Sequence, residues 1–96
     1  MVAYVIFDSV PGAPDQMKGY PDKAVASVEA FDGKITAYSS DIDTREGDWH
    51  PVLIVVIEFP NMARAQEWYE SAEYQEILPI RLKASRDKVV IVPGKE

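Results

Sequence analysis

Residues Val2 to Ser9 are rich in Val, Ile, Tyr and Phe and run into Val10-Pro11-Gly12, which predicts a strand stopped by a turn. From Pro14 to Phe31 the period lengthens. Met17, Tyr20, Ala24, Val28 and Phe31 recur at three- and four-residue spacing, the mark of an amphipathic helix. Pro21 inside that span predicts a kink or the start of its regular part. Asp32-Gly33 ends the helix, with Gly33 placed for the left-handed conformation that residues with a Cβ avoid. A second strand follows from Lys34 to Ser40.

Asp41 to Asp48 carries five charged residues in eight and reads as a loop. Val52 to Phe59 is a nearly continuous apolar run, typical of a central strand buried on both faces. Pro60-Asn61 closes it, and Asn61 caps a helix whose stripe is Met62, Ala65, Trp68 and Tyr69. Ser71 offers a second cap, for a segment from Ala72 to about Ser85 with Tyr74, Leu78 and Arg81 on one side and Pro79 as a distortion. Val89 to Val92 makes the last strand.

The order is β-α-β-β-α-β. With short connections it predicts an α+β fold, a four-stranded antiparallel sheet with both helices on one face. Alternation divides the strands into two sets. Ala3, Val5, Phe7, Ile35, Ala37, Val55, Ile57 and Phe59 include no charge and suit packing beneath the helices. Tyr4, Ile6, Asp8, Thr36, Tyr38, Ile54, Val56 and Glu58 mix apolar walls with carboxylates and phenols, as a small-molecule pocket does. A symmetric partner is the simplest cover for that second face, so a homodimer is expected.

At 96 residues and 47% hydrophobic content, the chain suits one domain spanning residues 1–96. A net charge of −6, with ten scattered Lys and Arg, argues against nucleic acid. The absence of cysteine removes thiolate nucleophiles and Cys-type zinc sites. No apolar run approaches the roughly 20 residues that span a bilayer, and the start lacks a signal-peptide pattern, so no membrane partner and a cytoplasmic location are expected. Asp41-x-Asp43 fails as a calcium loop, because Arg45 and Val52 fall on ligand positions. A single histidine makes a transition-metal site improbable, and haem would depend on His50 alone. No metal or cofactor is expected.

Trp49 and His50 precede Pro51 at the predicted mouth of the sheet. As a functional pair, the indole stacks on a planar ligand and the imidazole moves a proton; as structure, Trp49 covers the core and His50 faces water. Glu58 ends an apolar run, which suits either a general base or an ion pair with Arg81 or a lysine. Arg81 is also suited to an anionic substrate. Trp68 and Tyr69 fall on the helix stripe and read as core.

Three stretches carry a family resemblance: Glu46-Gly47-x-Trp49-x-Pro51, Val55-Val56-Ile57-Glu58-Phe59-Pro60, and Ala65-x-x-Trp68-Tyr69-x-Ser71-x-Glu73-Tyr74-Gln75. Together they resemble the domain-of-unknown-function 1330 family, of the dimeric α+β barrel (ferredoxin-like) superfamily. The resemblance implies a ferredoxin-like protomer whose sheet packs on that of a second copy. Superfamily relatives include isomerases, monooxygenases and haem enzymes, and fold alone does not transmit their reactions. Asn61, Trp68 and Arg81 resemble residue types used by cofactor-free monooxygenases of the superfamily, although capping explains Asn61 without chemistry. Two departures stand out: Asp32-Gly33-Lys34 where relatives have Gly-Gly before the basic residue, and Leu53 where an arginine is usual.

The resulting expectation is a homodimer that binds a small aromatic or carboxylate metabolite, as a cofactor-independent isomerase or monooxygenase. Glu58 and His50 are the catalytic candidates, and Tyr38, Trp49, Tyr74 and Arg81 the ligand-binding ones. The alternative is a non-catalytic dimeric binding or interaction module.

Overall fold

The computed structural model describes residues 1–96. Four strands form one sheet: β1 (Ala3–Val10), β2 (Lys34–Ser39), β3 (Leu53–Phe59) and β4 (Arg86–Pro93). Helix α1 (Pro21–Ala30) joins β1 to β2, and α2 (Met62–Glu70) with α3 (Ala72–Ala84) joins β3 to β4. The spatial order is β2-β3-β1-β4 with every neighbour antiparallel, the ferredoxin-like arrangement. The β-branched run thus forms a central strand, as its composition predicts.

Alternation on β1 and β3 sets the layers. Ala3, Val5, Phe7, Ile57 and Phe59 point to one face and join Val28 of α1, Ala65 and Trp68 of α2, and Tyr74, Ile77 and Leu78 of α3 in one buried cluster. Trp68 sits at its centre, 4.3 Å from the Tyr74 ring and 5.5 Å from Phe59 between centroids. Its indole N–H donates to Ser27 Oγ at 3.0 Å, and that hydroxyl donates to Ala24 O at 2.7 Å. The bond across α1 and α2 satisfies a buried donor that would otherwise cost stability. No helix is long and apolar enough to cross a membrane.

Helix boundaries follow local chemistry. The regular part of the first helix begins only at Pro21, where the ring presets φ; residues from Ala13 to Tyr20 form hydrogen-bonded turns instead of the helix predicted from Pro14. Asn61 Oδ1 accepts from Arg64 N at 2.8 Å, the cap its residue type predicts. Ser71, extended at φ −66° and ψ 152°, ends α2 and caps α3 through Tyr74 N. Pro79 is accommodated inside α3, which continues to Ala84.

Two further sequence expectations change. At the end of α1 the left-handed residue is Asp32, at φ 64°, and not Gly33. Gly33 is needed for closeness: a Cβ there would lie 2.6 Å from Phe59 Cε1 and 2.7 Å from Val28 Cγ1. Asp32 accepts from Arg64 Nε at 3.2 Å, and Arg64 stacks on the Phe31 ring at 4.9 Å.

The second change concerns β2. Ile35 pairs with Ile57, but Ala37 pairs with Val56 and Tyr38 with Val55, so one residue is extra between them. That bulge reverses the faces downstream. Tyr38 joins the helix side, and Ala37 takes the open side beside Val56. The open face carries Tyr4, Ile6, Ile54 and Val56, all half-buried, with Val90 and Val92 more exposed on β4. Within one protomer β3 is therefore covered on one face and not on both.

Candidate functional site

Between α1 and the sheet the side chains do not fill the space. A cavity of about 160 Å³ remains, walled by Phe7, Val28, Val55, Ile57 and Trp68, with Tyr38 and Ile35 also contributing. It is about the volume that accepts a benzene-sized ring in an engineered core. One end is polar: Ser9, Tyr20, Arg81, Ser85 and Asp87 also line it.

That polar end is one connected network. Arg81, deep in α3, donates from Nη1 to Asp87 Oδ2 at 2.8 Å, with side chains only 6% and 2% exposed. Ser9 and Ser85 donate to Asp87 Oδ1 at 2.6 and 2.7 Å. Arg81 Nε donates to the Tyr74 hydroxyl at 3.2 Å, and the Tyr74 and Tyr20 hydroxyls are 2.6 Å apart. The guanidinium lies 5.3 Å from the centroid of Phe7, which adds a cation–π contact. No buried side-chain polar atom is left unpaired.

The electrostatics keep each member in one protonation state. Burial pushes the Tyr20 phenol far above its usual range, and Tyr74 beside it adds to the shift. Burial raises Tyr74 as well, outweighing its hydroxyl contact with Tyr20 and the nearby Arg81 charge. For Arg81, burial opposes the charge, but the bonds to Asp87 and Tyr74 prevail and hold it protonated. Burial likewise opposes ionisation of Asp87, and the bonds from Ser85, Ser9 and Arg81 overcome it, leaving the carboxyl below its ordinary value. Near neutral pH the site holds a cation, an anion and two neutral phenols.

Of the residues singled out in the sequence, the cavity region gathers three. Arg81 lines it, Tyr74 supports it from the core, and Tyr38, 70% exposed, stands at its rim through the β2 bulge. The other three lie elsewhere. Glu58 projects from the opposite sheet face, its strand position flanked by Tyr4 and Lys34. Trp49 is 56% exposed, its indole N–H donating to Asp8 Oδ2 at 2.9 Å. His50 is open to solvent, 3.6 Å from Asp48. Trp49 and His50 border a shallower groove of about 510 Å³ with Leu82 and Lys88, and Arg81 and Asp87 form its wall with the cavity. Glu58, by contrast, is paired with neither Arg81 nor a lysine.

Tyr20, Ser9 and Asp87 are site residues that sequence reasoning missed. Tyr20 reads as one more apolar-stripe position, and only its place directly before Pro21, outside the regular helix, sets it apart. Ser9 and Asp87 are 78 residues apart, and their convergence follows from the β1–β4 pairing. No local signal announces it.

The family model of a domain of unknown function, DUF1330, matches residues 2–95. Among solved structures, the chain is similar to RPA0582, a protein of unknown function from Rhodopseudomonas palustris, with TM-score 0.74 and 16% identity over 99% of this chain and 83% of that one. SnoaB, a cofactor-independent oxygenase from Streptomyces nogalater, has TM-score 0.56 and 10% identity, covering 99% of this chain and 93% of its own. An antibiotic biosynthesis monooxygenase has TM-score 0.55 and 18% identity with full coverage of both chains. At these identities the likeness is one of fold. No curated protein matches the chain.

Proposed function

This chain belongs to the DUF1330 family, and from that premise and the cavity beneath α1 we propose that it is a homodimeric small-molecule-binding protein taking a single-ring ligand on the helix side of the sheet. The observation that carries the reading is an apolar cavity of about 160 Å³ with the Arg81–Asp87 ion pair at one end. Apolar walls with a few fixed polar groups are the composition of a ligand site. Because Asp87 already neutralises Arg81, the polar end favours a neutral polar substituent over a second carboxylate. Dimerisation through the open sheet face would leave this cavity, on the other face, accessible.

Binding without turnover is the first reading, because the groups facing the cavity are held where none acts as a base near neutral pH. Cofactor-independent oxygenase or isomerase chemistry is the second reading, favoured by the fold likeness to SnoaB. In that case Arg81 would steady charge developing on the ligand. Glu58 and His50 would enter only through the open face and the groove.

Thermal-shift titration of the wild type and Ala24→Leu with a panel of single-ring aromatics tests the site, since Ala24 lines the cavity and a leucine would occupy it. A ligand at a hundredfold its Kd should stabilise the wild type by about 2.7 kcal/mol. The leucine variant should show no shift. Stabilisation that survives in Ala24→Leu would place binding outside the cavity, and no stabilisation of the wild type by any ring would remove the reading.

A further inference from the structure

The hydrogens at the polar end of the cavity can be assigned one by one. Arg81 has only donors, so the Tyr74 oxygen accepts from its Nε. Tyr74 is fully buried, and its own hydroxyl hydrogen needs an acceptor. The only hydroxyl or carbonyl oxygen bonded to it is that of Tyr20, 2.6 Å away, so Tyr74 donates to Tyr20. Tyr20 has no further partner, and its hydrogen is left free.

Ser9 and Ser85 spend their hydrogens on Asp87, and both Asp87 oxygens are engaged. Of the Arg81 nitrogens, Nε and Nη1 are committed and Nη2 has no protein partner. What the polar end offers a ligand is therefore hydrogens: the Tyr20 O–H and the remaining Arg81 N–H. Tyr20 and Arg81 line the cavity, while Tyr74 lies behind them. A donor chain that begins on a cation is polarised along its length, which strengthens its last hydrogen.

Resting on the reading of this cavity as a ligand site, we propose that Tyr20 selects the ligand, its free hydroxyl hydrogen bonding a carbonyl oxygen carried on a single aromatic ring. Aryl ketones and aldehydes are the class that fits. The ring fills the apolar part, and the oxygen, an acceptor only, meets the donor end. An aromatic amine brings a donor where donors already stand, and a hydrocarbon of the same shape leaves the Tyr20 hydrogen unpaired.

The probes are acetophenone and its methylene counterpart α-methylstyrene, titrated by calorimetry into the wild type and Tyr20→Phe. The wild type should prefer acetophenone by about fivefold or more, the effect of one hydrogen bond gained or lost. Tyr20→Phe should bind the hydrocarbon as before and lose the preference. A preference retained in Tyr20→Phe overturns the proposal. If neither probe binds the wild type, the cavity reading fails and this one falls with it; hydrocarbon binding without any wild-type preference overturns this one alone. Should Tyr20→Phe not fold, the infrared carbonyl band of acetophenone on the wild type decides. A shift to lower frequency on binding supports the donor, and an unshifted band overturns it.

Discussion

Replacing Asp87 by Asn isolates the charge in the buried network. The variant keeps the side-chain shape and an oxygen for Ser9 and Ser85, while removing the anion 2.8 Å from Arg81 Nη1. With the two side chains 6% and 2% exposed, solvent screens the pair little. Leaving one member of such a pair alone costs about 3–5 kcal/mol. A chain of this length has about 5–14 kcal/mol in total, so the loss is a large fraction of its stability. Urea unfolding followed by tryptophan fluorescence reads it directly.

The pH dependence has a definite sign. Because the Asp87 carboxyl is held below its ordinary value, its contribution is complete above that value, about 3.9, and disappears as pH falls through the lowered one. Wild type and Asp87→Asn should therefore differ most near neutral pH and converge in acid. A gap under about 1 kcal/mol at neutral pH, or one of the same size at every pH, would refute the assignment of a buried charged pair.

Gly33→Ala should cost about 1–3 kcal/mol in the same unfolding assay, since its Cβ must displace Phe59 and Val28; a neutral effect would mean the core yields there freely. Light scattering should give about twice the chain mass of 10.8 kDa, and Ile6→Lys, placing a charge on the open face, should return one chain mass. A monomeric wild type would remove the interface argument. Glu58→Gln should change stability by less than about 1 kcal/mol, because Glu58 has no ion-pair partner, and should leave ring binding beneath α1 unaltered. Weakened ring binding in calorimetry would tie the two sheet faces together.

The architecture was legible where local chemistry decides it. The β-branched run at Val52 to Phe59, Asn61 and Ser71 as caps, and the uncharged set around Val5 and Phe7 each declare themselves through residue type and spacing. The face of Tyr38 did not, because counting by two cannot register the single extra residue between Ile35 and Ala37. Arg81 and Tyr74 were identified singly. Their partners were not, since Asp87 and Tyr20 reach them only after sheet pairing and helix docking, for which one sequence has no periodic signature. Gly33 shows a subtler limit: its place after a helix suggested backbone freedom, while the structure requires the absence of a side chain.

The two tryptophans divide the molecule into two optical compartments. Trp68, 1% exposed, forms part of the cavity wall and donates to Ser27, whereas Trp49, 56% exposed, donates its indole N–H to Asp8 at the end of the sheet. Their emission should separate into a blue component and a red one, with a solute quencher such as iodide reaching the red alone. A molecule lodged beneath α1 would alter the blue component while the red stayed constant, and one in the groove beside His50 would do the reverse. The chain thus carries its own pair of unlabelled reporters, one for each concavity.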